Sequence, residues 1–157
     1  MIAREYFADV RRASSMVEQC QRIINELKHG AIPAPAHSNS PHGMGDHSDP
    51  TATAFFRSVY MMDSAIKQRD VCTVLLGEAL QIIDALHSVA GDKADVLELY
   101  YIDLMLWSEV AQHYGVSPST VRMWRDELFG IIDSNPTSYL MAAKYEECLV
   151  DITNPTL

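Results

Sequence analysis

The stretch Trp107–Phe129, WSEVAQHYGVSPSTVRMWRDELF, holds two short amphipathic segments on either side of a glycine. With Trp107 as the first position, Ala111 is the fifth, where two closely crossing helices need a small side chain. Gly115 is the ninth, where the turn needs a positive φ angle that glycine adopts without steric cost. This spacing predicts a helix-turn-helix.

The second helix of this unit has a recognisable start. Ser117 is placed to cap its N-terminus, and Pro118 occupies the first helical position, where a missing N–H is harmless. The sequence therefore places the second helix at 118–129. The inward positions of the whole unit carry apolar side chains: Val110, Tyr114, Val116, Val121 and Trp124.

Charge limits how such a unit is used. The chain has 157 residues, with 21 acidic and 12 basic side chains and a net charge of −9. Residues 91–134 carry eight acidic and three basic groups, so the helix-turn-helix is the most acidic part of the chain. Nonspecific DNA affinity comes mostly from Lys and Arg beside phosphates. The charge therefore counts against DNA contact, whereas the motif favours it.

The N-terminal half carries apolar seams of helical spacing. In residues 3–28 the apolar positions advance by alternating steps of four and three, and in 53–89 two further stripes are separated by charged residues at 67–70. An antiparallel helical hairpin is the simplest use of these seams, and a dimeric coiled coil has the same pattern. The first seam contains Tyr6, Val10, Ala13, Val17, Cys20, Ile24 and Leu27, and the solvated side of that helix contains Arg4, Arg11, Arg12 and Arg22.

Proline and glycine divide the chain into segments. We expect an all-α fold with a helical hairpin over 1–90, interrupted by a flexible loop at 30–53 that is rich in proline, glycine and serine. A helix-turn-helix domain over 91–134 and a C-terminal amphipathic helix and tail over 135–157 follow. The loop histidines, His37, His42 and His47, are predicted to be solvated and not to bind a metal.

Composition and motifs bear on the cellular compartment and on whether the chain is an enzyme. Three widely spaced cysteines favour a reducing cytoplasm over a disulfide framework. The N-terminus has no apolar signal-peptide core, and no apolar run approaches the roughly 20 residues of a membrane span. Neither a phosphate-binding loop, nor a nucleophile elbow, nor a paired-cysteine metal signature is evident, so we expect no enzyme, no cofactor and no membrane partner.

The layout resembles that of phage and prophage late-transcription regulators of the RinA/ArpU type, whose C-terminal domain is similar to region four of bacterial sigma factors. Three features carry the resemblance: a helical half interrupted by the Ser-Pro element at 40–44, the run from Leu97 to Ala111, and the Tyr-Gly-Val-Ser turn. The resemblance implies sequence-specific binding to phage DNA in the cytoplasm of a bacterial host cell. It also implies control of late or packaging genes through contact with RNA polymerase.

A DNA-bound unit of this kind lays its second helix in the major groove. Arg122 could then pair with a guanine or a phosphate, and Met123 could meet a thymine methyl. Arg125 is better placed for the DNA backbone than for a base. The candidate DNA-binding residues are Ser117, Ser119, Thr120, Arg122, Met123, Arg125 and Asp126.

Two functions remain open at this level. One is a sequence-specific DNA-binding transcription regulator that reads double-stranded DNA with helix 118–129, most simply as a homodimer. The alternative is an acidic protein-interaction module that binds RNA polymerase, or another phage or host protein, without DNA contact. In that case Arg122 and Arg125 would belong to a solvated helix face and pair with Asp126 or Glu127.

Overall fold

The computed structural model describes residues 2–29 and 50–139, whose regular secondary structure is entirely helical. The predicted all-α fold is therefore confirmed. The elements are α1 (Ile2–His29), α2 (Pro50–Ala90), a 3₁₀ turn (Gly91–Ala94), α3 (Asp95–Leu97), a π-helical turn (Glu98–Ile102), α4 (Trp107–Tyr114), α5 (Pro118–Ser134) and α6 (Pro136–Tyr139).

Parts of the predicted organisation lie outside the described residues. They are 30–49, which include the Ser-Pro element and the three loop histidines, and 140–157, which include most of the predicted C-terminal helix. The end of the predicted loop differs from the structure, because residues 50–53 already belong to α2. Pro50 is compatible with this start, since the first turn of a helix needs no N–H from that position.

The first two helices form the predicted antiparallel hairpin. Cys20 and Ile24, near the end of α1, pack against Ala65. The beginning of α1 instead shares a core with residues 72–86 of α2. The predicted seam of α1 is buried at Tyr6, Val10, Ala13, Cys20 and Ile24.

The helix α2 is continuous through the charged residues 67–70 and extends beyond the end of its partner. Its second apolar stripe is buried from Cys72 to Leu86, but Val89 is exposed. Its first stripe is largely unburied, since Phe55 and Val59 are exposed. Apolar periodicity thus identified the faces of α2 correctly, without showing which of them has a partner in this chain.

One stretch of this region, within Ala52–Ile102, is long and apolar enough to cross a membrane by length and composition alone. A core helix of a soluble protein meets the same criteria. Here Leu75, Ala79 and Leu86 are buried in the core that α2 shares with α1. These residues therefore have a packing role that accounts for their apolar character.

Phe7 joins the hairpin to the helix-turn-helix. Its side chain is 0% exposed, and its ring centroid lies 5.4 Å from that of Tyr101 and 5.7 Å from that of Phe129. Leu97 and Ile132 belong to the same buried cluster. A single core thus includes α1, α2, the π-helical turn and α5.

Polar contacts hold the same helices together. The Arg11 guanidinium donates to the carbonyl oxygens of Tyr100 and Leu104, and the Ser14 hydroxyl donates to that of Ile102. Leu104 has a φ of 59°, a left-handed conformation that costs a non-glycine residue energy. The bend between Tyr100 and Leu104 is therefore fixed from α1, and it sets the direction in which α4 leaves.

We expect Phe7→Ala to lower the free energy of unfolding by about 3–5 kcal/mol, because the cavity would open among rings from α1, the π-helical turn and α5. Phe56→Ala is the matched control, since Phe56 is 69% exposed and the chemical change is identical. Urea unfolding followed by circular dichroism measures both. Equal losses in the two variants would contradict the central position of Phe7.

Candidate nucleic-acid interface

The turn between α4 and α5 has the geometry that the sequence predicted. Gly115 has a φ of 64° and a ψ of 30°, and its N–H donates to the Gln112 oxygen at 3.2 Å. The Val116 N–H donates to the Ala111 oxygen at 3.0 Å. These two bonds form a Schellman ending, which satisfies the last carbonyls of α4 and turns the chain into α5.

The helix crossing also follows the prediction. Ala111, at the crossing, is buried together with Val96, Val110 and Val121. Tyr114, Val116 and Trp124 pack against this cluster, and the rings of Tyr114 and Trp124 meet edge to face at 5.6 Å. The three-dimensional shape of a helix-turn-helix is therefore present over α4 and α5.

The start of α5 is capped. The Ser117 hydroxyl accepts from the Thr120 N–H at 3.2 Å, and its oxygen lies 2.7 Å from the Ser119 hydroxyl and 2.8 Å from the Thr120 hydroxyl. Ser117 and Ser119 are exposed and Thr120 is half-buried. These three predicted DNA contacts thus form one small hydroxyl cluster at the helix N-terminus, where backbone N–H groups favour an anion.

Arg122 and Met123 lie exposed on the second turn of α5. Met123 is 53% exposed, and within residues 2–29 and 50–139 the Arg122 side chain makes no hydrogen bond or ion pair. An exposed arginine without an internal partner loses no protein contact when it binds a ligand. Of the seven candidates, these two combine exposure with side chains that make no hydrogen bond or ion pair within the described residues.

Arg125 and Asp126 are engaged within the protein. Arg125 donates to the Asp126 carboxylate from Nε at 2.9 Å and from Nη2 at 2.8 Å, and its side chain is only 19% exposed. Arg4 of α1 donates to the same oxygen at 3.2 Å. The pairing with Asp126 that the sequence left open is thus present for Arg125, but not for Arg122.

A stacked column of side chains runs from α1 to α5. The Arg11 guanidinium lies 4.0 Å from the Tyr100 ring centroid, and that ring stacks on Trp107 at 3.7 Å with an interplanar angle of 15°. Arg125 lies 5.2 Å from the centroid of the Trp107 ring. Sequence analysis missed this column, since no local spacing rule connects residues 11, 100 and 125.

The helices α1 and α5 border a cleft of about 490 Å³ that is lined by four arginines. Sequence analysis had assigned the three α1 arginines of this cleft to a solvated helix side. Their spacing at positions 4, 11 and 12 gives one face, and that common face was the available signal. The cleft is lined by Arg4, Ala8, Arg11, Arg12, Ser15, Tyr100, Tyr101 and Arg125.

Several acidic groups of 91–134 gather elsewhere. His87 Nε2 lies 2.8 Å from Asp95, and the Tyr114 hydroxyl donates to the Asp92 carbonyl at 3.1 Å. Burial, with the nearby Asp103 and Asp95 carboxylates, raises the pKa of Glu98. None of these acidic residues lines the arginine cleft. Asp92, Asp95 and Glu98 thus lie away from that cleft, whereas Asp126 pairs with two of its arginines.

In the described part of the chain no group of three or more His, Cys, Asp or Glu side chains is placed to hold a metal ion. Comparison of the chain with protein-family models, with curated proteins and with solved structures gives no match. The geometry and charge of α1, α4 and α5 are therefore the basis for a functional proposal.

We expect Gly115→Ala to lower the free energy of unfolding by about 1–2 kcal/mol, because its positive φ is costly for a residue with a Cβ. Gly130→Ala should act in the opposite direction and stabilise by about 0.5–1 kcal/mol, since Gly130 lies inside α5 and an added Cβ meets nothing within 4 Å. Thermal unfolding of the two variants measures the signs. Stabilisation by Gly115→Ala would refute the left-handed turn.

We expect stability to fall in alkali partly through Tyr101. Burial raises the pKa of Tyr101 to about 12, against about 10 in an unfolded chain. The folded state thus favours the neutral phenol. Its contribution to the free energy of unfolding is complete below about pH 10 and is lost as the pH rises towards 12.

The Tyr101→Phe variant should therefore lose less stability between about pH 9 and pH 11 than the parent chain, by roughly 1 kcal/mol. Urea unfolding at several pH values measures this difference. Tyr60→Phe, at an exposed residue of α2, is the matched control and should follow the parent chain. Identical pH profiles for the parent and Tyr101→Phe would disprove the role of this phenol.

Proposed function

We propose that this chain is a sequence-specific DNA-binding transcription regulator that reads the major groove of double-stranded DNA with helix 118–129. One observation carries the proposal. Arg122 and Met123 are exposed near the start of a capped second helix, in a helix-turn-helix whose turn and crossing have the expected geometry. Helices of such units present this part of their surface to base edges.

Each exposed group has a chemical role in such a complex. Arg122 can donate a forked pair of hydrogen bonds to guanine O6 and N7, and Met123 can contact a thymine methyl. Ser117 and Ser119, with the backbone N–H groups of the helix N-terminus, can bind a phosphate and fix the position of the helix. Thr120, which is half-buried beside them, completes the hydroxyl cluster.

Arg125 and Asp126 have a positioning role in this proposal. Their ion pair and the contact of Arg125 with Trp107 hold α5 against the start of α4, and Arg4 adds a solvent-exposed bond from α1. The Asp126 carboxylate is also balanced by two guanidinium groups. That balance weakens the repulsion between Asp126 and a phosphate.

The wider proposal follows the resemblance to phage and prophage regulators of the RinA/ArpU type. We infer a homodimer in the cytoplasm of a bacterial host cell, acting on phage DNA and contacting RNA polymerase, without enzymatic activity or a cofactor. The exposed apolar residues at the start of α2 offer a surface for pairing two chains. They are Phe55 and Val59, the exposed part of its first apolar stripe.

The second candidate is a protein-interaction module without DNA contact. The gathering of Asp92, Asp95 and Glu98 around Tyr114 favours it, because such an acidic surface repels a duplex and suits a basic protein partner. Specific retention of purified RNA polymerase, combined with no DNA binding at low salt, would support this candidate over the first.

Selection from a random duplex library, followed by fluorescence anisotropy on the enriched sequence, tests the DNA proposal. We expect Arg122→Ala to weaken the free energy of binding to the preferred sequence by about 1–3 kcal/mol and to relax the base preference at one base pair. Met123→Ala should reduce the discrimination of thymine. Arg57→Ala removes the same charge from an exposed position on α2 and should keep the preference. Failure to enrich any sequence at low salt would rule out sequence-specific reading.

A further inference from the structure

The arginine cleft has a net positive charge within an acidic chain. Its four guanidinium groups face two nearby carboxylates, Asp9, which pairs with Arg12, and Asp126, which pairs with Arg4 and Arg125. The local balance is four positive charges against two negative ones. Two further negative charges would therefore neutralise the cleft.

The four arginines fall into two pairs with different mobility. Arg11 and Arg125 are fixed on the aromatic column, by Tyr100 and Trp107 respectively. Arg4 and Arg12 are solvated, with side chains 53% and 77% exposed. The first pair defines the position of the cleft, and the second pair has the exposure that contact with a ligand requires.

We propose that this cleft binds phosphate groups, and that their source is the backbone of the DNA duplex whose bases α5 reads. The inference rests on the proposed function and adds a second contact region, on α1, to the one on α5. Guanidinium groups suit phosphate oxygens because their planar fork donates two parallel hydrogen bonds.

The aromatic groups of the cleft favour a backbone phosphate over an unpaired base. Tyr100 is stacked on Trp107 on one face and covered by Arg11 on the other. Tyr101 is buried in the core. No open ring face is thus left in the cleft for stacking a base, whereas the exposed guanidinium groups of Arg4 and Arg12 can reach an anion.

The position of the cleft beside α5 favours DNA as the source of the phosphate. Arg125 lines the cleft, and Arg122 precedes it by three residues on the same helix, so the two are neighbours on the helix surface. A helix roughly 10–12 Å across fills a major groove roughly 12 Å wide, which brings a phosphate strand along its side. On the side of Arg125 that strand would meet α1.

The test compares two double variants of the full chain. Arg4→Gln with Arg12→Gln removes the two solvated arginines of the cleft. Arg22→Gln with Arg57→Gln removes the same charge from exposed positions of α1 and α2 that do not line the cleft. Anisotropy of both variants and the parent, on the selected sequence and on a scrambled duplex, is followed over a range of salt concentrations.

We expect the cleft variant to lower the slope of log affinity against log salt by about two, which is on the order of 50-fold in affinity at roughly 0.1 M salt. The loss should be equal on the selected and scrambled duplexes, because phosphate contacts carry no sequence information. Arg122→Ala, in contrast, should lose affinity on the selected sequence alone. Equal losses in the cleft variant and its control would overturn the inference and leave the proposed function standing.

A second measurement separates failure of the inference from failure of the proposed function. Pyrophosphate is titrated into the parent chain while the arginine Nε–Hε signals are followed by NMR. If the parent binds no DNA, the proposed function fails. Saturable shifts of Arg4 and Arg12 would then assign the cleft to a free phosphate compound, and unchanged signals would overturn the inference.

The variant Arg4→Lys with Arg12→Lys covers the case in which the glutamine pair does not fold. It keeps both charges and removes the forked hydrogen bonds. We expect it to fold like the parent, as checked by thermal unfolding, and to bind DNA several-fold more weakly. Parental affinity in this variant, with no pyrophosphate shifts, would also overturn the inference.

Discussion

The docking of α1 onto the bend at 100–104 is the constraint on which the arrangement of the functional elements depends. Three carbonyl groups in this bend accept hydrogen bonds from Arg11 and Ser14. A buried carbonyl without a partner costs roughly 1–3 kcal/mol, so the bend is stable where α1 supplies its donors. The bend directs α4, and the turn at Gly115 then directs α5. The orientation of the second helix is thereby linked to a helix almost a hundred residues earlier in the chain.

The same docking explains how an acidic chain can present a basic surface. On an isolated α1, Arg4, Arg11 and Arg12 would share a solvated face without Arg125, and the two arginines of α5 would be outnumbered by nearby acids. Packing α1 beside α5 brings Arg4, Arg11, Arg12 and Arg125 to one cleft. The carboxylates around Tyr114 lie outside it. The net charge of the chain describes its electrostatic field at long range, but a phosphate within a few ångströms of the surface responds to the local arrangement of charged side chains.

The sequence was sufficient where structure is determined locally. Gly115, Ser117 and Pro118 act within one turn of their own positions, and Ala111 contacts the next helix ten residues away. The predicted crossing, turn and cap are all present. The hairpin seam was also predictable, because a buried face requires apolar periodicity.

The remaining features depend on contacts between distant segments. Nothing local in the sequence indicates that Arg11 reaches Tyr100 or that Arg4 and Arg125 share Asp126, because these pairs are separated by most of the chain. Arg122 and Arg125 illustrate the limit. They are neighbouring arginines on one helix, and only the packing of Trp107 and α1 distinguishes the exposed one from the engaged one. The exposed stripe at Phe55 and Val59 is a similar case, since periodicity reports a face and not its partner.

Asp126 connects the two parts of the proposed interface. Its carboxylate lies between Arg4 and Arg125, where it acts as an internal anion beside the cleft. A phosphate that enters must share these guanidinium groups with it, which weakens every phosphate contact equally, whatever the base sequence. Base contacts from Arg122 and Met123 are not weakened in this way, because neither residue is paired within the described protein. An arrangement of this kind lowers the affinity for nonspecific DNA more than it lowers the preference for a target site. The ratio of specific to nonspecific affinity determines whether a regulator finds its site among competing DNA.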